Sequence, residues 1–196
     1  MITLFHRPQT RSTRFIFLLE ELGAPYQIKQ LAKGSPKPPP APENPHPHNK
    51  VPAISDDGVV VFESSAIALY LTDKFPRNGI GPLVGDPKRG PYLTWLAYYS
   101  GVMEPAWTMN FMQIDVPPGP AGWAPVEEVM DFTFKTLGQG PYILGEKFSA
   151  ADVLIGTTFA MFMGQPSFPK TPLVEDYANR VISRPAYKRA LEKEGV

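Results

Sequence analysis

Two rhythms of apolar and polar positions divide this chain. Residues 2–6 (Ile-Thr-Leu-Phe-His) read as a short strand. Residues 14–22 form a helical run, and Gly23 stands where a C-terminal cap belongs. Residues 26–31 are a second strand. Prolines then crowd residues 35–47, where neither a helix interior nor a central strand tolerates them, so this stretch reads as an extended loop. Residues 53–55 and 59–62 flank Asp56-Asp57-Gly58, a hairpin signal because Asp-Gly accepts positive φ. Ser64 opens a helix to about residue 75. Residues 76–91, rich in Gly and Pro, read as a linker. Beyond it the signals are helical: 92–112 with a kink near Pro105, then 126–137, 150–163, 173–183 and 185–194, with a loop at 117–125. The pattern predicts an α/β domain over residues 1–76 followed by an all-α helical bundle over 88–196.

Composition narrows the classes. The chain of 196 residues is 43% hydrophobic and 19% charged, with 19 basic and 19 acidic side chains, which suits a globular core. No basic surplus points to nucleic acid or to an anionic membrane surface. The absence of cysteine excludes disulfides, thiolate–metal sites and a cysteine nucleophile of the protein's own, and it fits a reducing, cytoplasmic setting. Residues 2–6 are too short for the apolar region of a signal peptide. The longest apolar run, residues 153–163, falls short of the roughly 20 residues that a membrane span needs. No Gly-x-Ser-x-Gly elbow is present. His46-Pro47-His48 lacks the further ligands that a metal site requires, so none is expected.

Several local motifs are more specific than the fold pattern. They are the opening Leu4-Phe5-His6-Arg7-Pro8-Gln9-Thr10-Arg11-Ser12, then Leu18-Leu19-Glu20-Glu21-Leu22-Gly23, and Asn49-Lys50-Val51-Pro52-Ala53-Ile54. Phe62-Glu63-Ser64-Ser65-Ala66-Ile67 follows, then Phe148-Ser149-Ala150-Ala151-Asp152. The last is the ending from Tyr177-Ala178-Asn179-Arg180 to Arg184-Pro185-Ala186-Tyr187. In this order and spacing they resemble the cytosolic glutathione transferases, of bacterial, theta-like or nu-like type, over nearly the whole chain. The resemblance implies a thioredoxin-like N-terminal domain that holds glutathione. It also implies a C-terminal helical domain that contributes the second-substrate pocket.

The resemblance further implies roles for particular residues. Val51-Pro52 would be the cis-proline turn that offers the main chain of Val51 to the cysteine part of glutathione. Glu63 would pair with the γ-glutamyl amine. Ser64, at a helix N-terminus, would receive the γ-glutamyl carboxylate, and Lys50 the glycine carboxylate. Each has a plain alternative: a loop proline, a helix cap, solvated charges. Catalysis would need the thiol held as thiolate. A free thiol has a pKa of about 8.5, and lowering it by about two units takes ~2.7 kcal/mol. The usual serine position falls on Gln9, so the nearest hydroxyls, Thr10 and then Ser12, are the catalytic candidates. Ser12 also reads as the cap of the first helix, and Arg7 and Arg11 could add positive charge. Ser149-Ala-Ala-Asp152 is a capping box with a structural role alone.

On the long helix, Tyr99, Met103, Trp107 and Phe111 are candidates for the second-substrate pocket, with core packing as the alternative for each. So much apolar surface on one helix also suggests a homodimer. The expected activity is conjugation of glutathione to hydrophobic electrophiles. Glutathione would be a co-substrate, with no metal, no nucleic acid and no membrane as partner. The alternatives are glutathione-dependent disulfide reduction or peroxidase chemistry, and ligand binding without catalysis.

Overall fold

The computed structural model describes residues 1–34, 38–117, 119–165 and 168–194. The elements begin with β1 (Ile2–His6), α1 (Thr13–Leu22), β2 (Tyr26–Gln30), β3 (Ala53–Asp56), β4 (Val59–Phe62) and α2 (Ser64–Lys74). They continue with α3 (Arg89–Tyr98), α4 (Glu104–Phe111), α5 (Val126–Leu137), α6 (Ala150–Phe162), α7 (Pro172–Ile182) and α8 (Pro185–Glu194). The chain divides into two compact units: Met1–Ile80 together with Ser183–Val196, and Gly81–Ile182.

The first unit is thioredoxin-like. Its sheet has the order β2-β1-β3-β4. β1 and β2 are parallel, which requires a crossover, and α1 supplies it. β3 and β4 run antiparallel to their neighbours. The hairpin turn is tighter than the sequence suggests. Asp56 still pairs with Val59, which leaves Asp57 and Gly58 at φ 48° and 91°, the signs a two-residue type I′ turn demands. Phe15 through Leu19 on α1 are fully buried because α1 packs against β1 and α2 and also against α8. Gly23 caps α1 at φ 58°. α8 is pinned to α1 by charge: Arg184 grips Glu21 through two bonds of 2.5 and 2.9 Å, and Arg189 and Lys193 reach Glu20 at 2.7 and 2.5 Å. The Tyr187 ring meets Phe17 edge-on at 5.4 Å.

Within the proline segment, the described residues 38–50 contain turns and no helix, as proline's fixed φ and missing donor dictate. Residues 35–37 of that segment lie outside the described residues. Side chains supply the hydrogen bonds that a helix would have made. Asn44 Nδ2 donates to the Lys50 carbonyl at 2.9 Å and Asn49 Nδ2 to the Pro39 carbonyl at 2.9 Å. Ala41 and Val51 pack on Phe5, Leu31 and Ala53.

The second unit is helical. The expected helix over 92–112 is two helices joined by a π-helical turn, Tyr99–Met103. Pro105 explains the break. It has no N–H for the carbonyl one turn earlier, its ring would strike that carbonyl, and the wider turn relieves both problems. α3 begins within the expected linker, at Arg89. Pro91 is tolerated there because the first turn of a helix has no use for its N–H. α6 is the core of this unit, buried from Ala150 to Phe159. At its start Asp152 Oδ2 accepts the Ser149 N–H at 2.8 Å, while Oδ1 accepts the Ile143 N–H at 2.8 Å and the Tyr177 hydroxyl at 2.9 Å. Burial pushes the Asp152 carboxyl up to about 6 against the pull of these donors. Gly156 lets α7 approach closely, since a Cβ there would lie 2.5 Å from Val181 Cγ2.

Candidate functional site

Strand register brings the sequence motifs to one end of the sheet. Phe5 pairs with Ala53, and Ala53 with Phe62. Residues 6–12 therefore leave β1, residues 49–52 enter β3, and Glu63 and Ser64 leave β4 at the same edge. Three of these segments contain non-glycine residues at positive φ: Gln9 at 58°, Asn49 at 53° and Glu63 at 70°. Such conformations cost of order 1–3 kcal/mol and persist where the surroundings hold them.

The peptide bond Val51–Pro52 is cis. The N–H and C=O of Val51 make no hydrogen bond among the described residues, so a short length of strand-like backbone is open. Arg7 braces this turn. Its guanidinium is buried and donates to the carbonyls of Ala32 at 3.0 Å and Asn49 at 3.1 Å, and to Asn49 Oδ1 at 3.0 Å. Arg7 thus serves the backbone and does not offer free charge to a thiolate. Lys50 is exposed.

Glu63 takes the N-cap position of α2. Its side chain is 68% exposed and stands 3.7 Å from His46 Nε2. Ser64 opens the helix and is largely buried, with no hydrogen bond to its hydroxyl among the described residues. The first N–H groups of α2 lack intrahelical acceptors, which suits an anionic ligand group.

The β1–α1 loop assigns the two hydroxyl candidates different parts. Ser12 holds the cap position of α1 but makes no side-chain cap bond. Its Oγ is buried and turns back to His6 Nδ1 at 2.8 Å, the Arg7 N–H at 3.2 Å and Thr10 Oγ1 at 2.8 Å. This packing is at odds with both readings made from sequence, catalytic donor and helix cap; Ser12 is an internal tie. Thr10 is half-exposed, and its hydroxyl donates to the Arg7 carbonyl at 2.7 Å. Its main-chain N–H has no partner among the described residues. Gln9 is engaged at both ends: its N–H donates to Glu194 Oε1 at 2.5 Å and its Oε1 accepts from Lys33 at 2.5 Å. Glu194 also accepts the Thr13 hydroxyl, so the end of α8 braces this loop. Burial holds the nearby His6 ring below its usual pKa, and the Glu194 charge opposes that shift.

In the helical unit the four pocket candidates separate. Tyr99 and Met103 are fully buried. The Tyr99 hydroxyl is spent on Thr158 Oγ1 at 2.9 Å and on Glu104. These two residues pack in the core. Trp107 and Phe111 line a cleft of about 30 Å³ together with Phe162 and Phe168. Beyond the π-helical turn, residues four apart on an α-helix drift about 40° per step, so the stripe from Met103 through Trp107 ends with Phe111 at 63% exposure. A larger cavity of about 320 Å³ lies beside them, walled by Met109, Ile114, Trp123 and Val126, with Asp115 and Glu127 also in its lining.

Sequence reasoning missed His46, Asn44, Asn49 and Glu194. The Asn-rich rim of the proline segment was the available sign for the first three. Glu194 lies 185 residues from Gln9, and no local pattern announces such a contact. Among the described residues no group of three His, Cys, Asp or Glu side chains is placed to hold a metal, and no helix is long and apolar enough to cross a membrane.

Known proteins match this architecture. The family model described as glutathione S-transferase, N-terminal domain, matches residues 10–74. Glutathione S-transferase 3 of Schizosaccharomyces pombe is 28% identical, over 98% of this chain and 88% of the relative. The disulfide-bond oxidoreductase YfcG of Escherichia coli K12 is also 28% identical, over 98% of this chain and 95% of the relative. A sphingomonad glutathione S-transferase solved with glutathione superposes with a TM-score of 0.76 at 24% identity, covering 99% of both chains, and supports the fold. Together these matches show a chain similar to the glutathione S-transferases, with a glutathione S-transferase N-terminal domain over residues 10–74.

Proposed function

We propose that this protein binds glutathione at the edge formed by residues 6–12, 49–52 and 63–64 and transfers it to hydrophobic electrophiles. The observation that supports this is the strand register, from which the Val51–Pro52 turn and the Glu63–Ser64 junction leave the sheet at the same end. Val51 pairs with the main chain of the cysteine part. The Glu63 carboxylate takes the γ-glutamyl ammonium, and Ser64 with the first N–H groups of α2 takes the neighbouring carboxylate. Lys50 serves the glycine carboxylate. Thr10 stabilises the thiolate. Its main-chain N–H is open, and its hydroxyl can turn to the sulfur because Ser12 Oγ, 3.2 Å from the Arg7 carbonyl, can donate there in its place. A hydrogen bond to an anion is worth roughly 1.5–3 kcal/mol, enough for most of a two-unit shift in thiol pKa. The sulfur lone pair then forms the new bond to the electrophilic carbon, and the leaving group departs with its bonding electrons. The 320 Å³ cavity of the helical unit is large enough to admit an apolar acceptor. The protein acts as a cytoplasmic, detoxifying homodimer. Exposed apolar residues on edge strand β4, Val59, Val60 and Phe62, form the surface for a second copy.

A second reading, glutathione-dependent disulfide reduction, is favoured by the relative YfcG. With no cysteine in the chain, both thiols would come from glutathione.

Parallel steady-state assays with chlorodinitrobenzene and with a glutathione mixed disulfide decide between the two. Calorimetry on the Glu63→Ala, Ser64→Ala double variant should show glutathione affinity reduced by tenfold or more; unchanged affinity overturns the site. Thr10→Val should move the acidic limb of the conjugation pH–rate profile upward with little change in affinity. An unmoved limb removes Thr10 from the chemistry. Light scattering at micromolar concentration tests the dimer.

A further inference from the structure

His46 lies in the proline-rich segment, and nearly every part of its side chain is held. The ring is buried, and it packs on Phe62 at 5.0 Å. Its own main-chain N–H donates to Asn44 Oδ1 at 3.2 Å. Its Nδ1 accepts the His48 N–H at 3.1 Å. That bond determines the tautomer: in the neutral ring the proton sits on Nε2. Nε2 in turn stands 3.7 Å from Glu63 Oε1, a small side-chain rotation from a hydrogen bond. Glu63 has a constrained backbone, at φ 70° and ψ 129°, but an exposed side chain. His46 is thus a fixed donor aimed at a movable carboxylate.

Resting on glutathione binding as set out above, we propose that His46 is a positioning residue for the γ-glutamyl ammonium. Its neutral Nε2–H holds one oxygen of Glu63 so that the other faces the ligand, and protonation of the ring weakens binding. A carboxylate has room for two partners, and a neutral donor orients it without consuming its charge. A cationic ring would neutralise the same carboxylate and repel the ammonium. Burial lowers the His46 pKa; the Glu63 charge opposes this, and His48 and Lys50 reinforce it, so the neutral form prevails at pH 7. By linkage, a bound ammonium favours the neutral ring further.

Calorimetry with S-methylglutathione between pH 5.5 and 8.0 tests this, since that probe lacks a thiol and keeps its ammonium throughout. Wild-type affinity should fall at least threefold from pH 8.0 to 5.5. His46→Gln retains an N–H donor but cannot be protonated. It should bind within about twofold of wild type at pH 8.0 and lose that dependence. His46→Phe should bind about tenfold more weakly at pH 8.0, the loss of a charge-assisted donor. It should not discriminate against N-acetyl-S-methylglutathione, which has no ammonium. If His46→Gln keeps the wild-type pH slope, or if His46→Phe weakens both probes equally, the positioning role is overturned and glutathione binding stands. If wild type binds neither probe at any pH, both proposals fall. If His46→Phe fails to fold, the comparison of wild type with His46→Gln decides.

Discussion

Ser12 shows how one buried oxygen can organise a loop. A serine before a helix is ordinarily a cap, and from sequence Ser12 reads as one. In the fold its hydroxyl points the other way, toward His6 and Arg7, because the Pro8-Gln9 turn folds the chain back over the end of β1. Ser12→Ala leaves the His6 ring nitrogen and the Arg7 N–H without this partner in a buried place. Each unsatisfied group costs about 1–3 kcal/mol, so urea unfolding should report a loss of at least ~2 kcal/mol. The same scale separates what the sequence announces from what it hides. Val51, Pro52, Glu63 and Ser64 announce themselves because the turn before β3 and the start of α2 are matters of backbone shape, which local sequence encodes. The bracing of the Gln9 loop by Glu194, and the approach of His46 to Glu63, depend on residues distant in the chain.

At the scale of elements, two contacts make opposite demands on chemistry. Where α6 crosses α7, Gly156 is required by space alone. Alanine would gain up to about 1 kcal/mol of helix propensity. The new methyl would strike Val181, a side chain with no room to retreat, and overpacking costs typically 1–3 kcal/mol. Gly156→Ala should therefore lower the melting temperature. Where α8 meets α1 the demand is charge. Burial raises the Glu20 carboxyl, but hydrogen bonds from Lys193, Tyr26 and Arg189 outweigh it and hold the pKa at about 2. A depressed carboxylate stabilises the fold fully above its unfolded pKa of about 4.5 and progressively less as pH falls toward 2. Unfolding followed from pH 6 to pH 2.5 should show a steeper loss in wild type than in Glu20→Gln. Helix periodicity gave the sequence reading α6 and α8 as elements. It could not give the pairing of α8 with α1, which is a matter of charges separated by more than 160 residues.

For the whole molecule, the α/β-then-helical plan was legible because the change of period near residue 80 is abrupt. The break of the long helix at Tyr99–Met103 was half legible, since Pro105 announces a kink but not the wider turn that absorbs it. The return of the last helix to the first unit was not visible at all. That return bears on the order in which the chain is made. A ribosome finishes the four-stranded sheet early, yet the helix that covers Phe17 and binds Glu20, and whose Glu194 holds the Gln9 loop, emerges only after the whole second unit. The nascent first unit must wait with an apolar helix face uncovered and the β1–α1 loop unbraced. A chain stopped after Ile182 should bind a hydrophobic dye strongly and be cut by protease within residues 1–34. Supplying residues 183–196 as a separate peptide should reverse both effects. Resistance of the shortened chain to dye and protease would show that the first unit matures without its last helix.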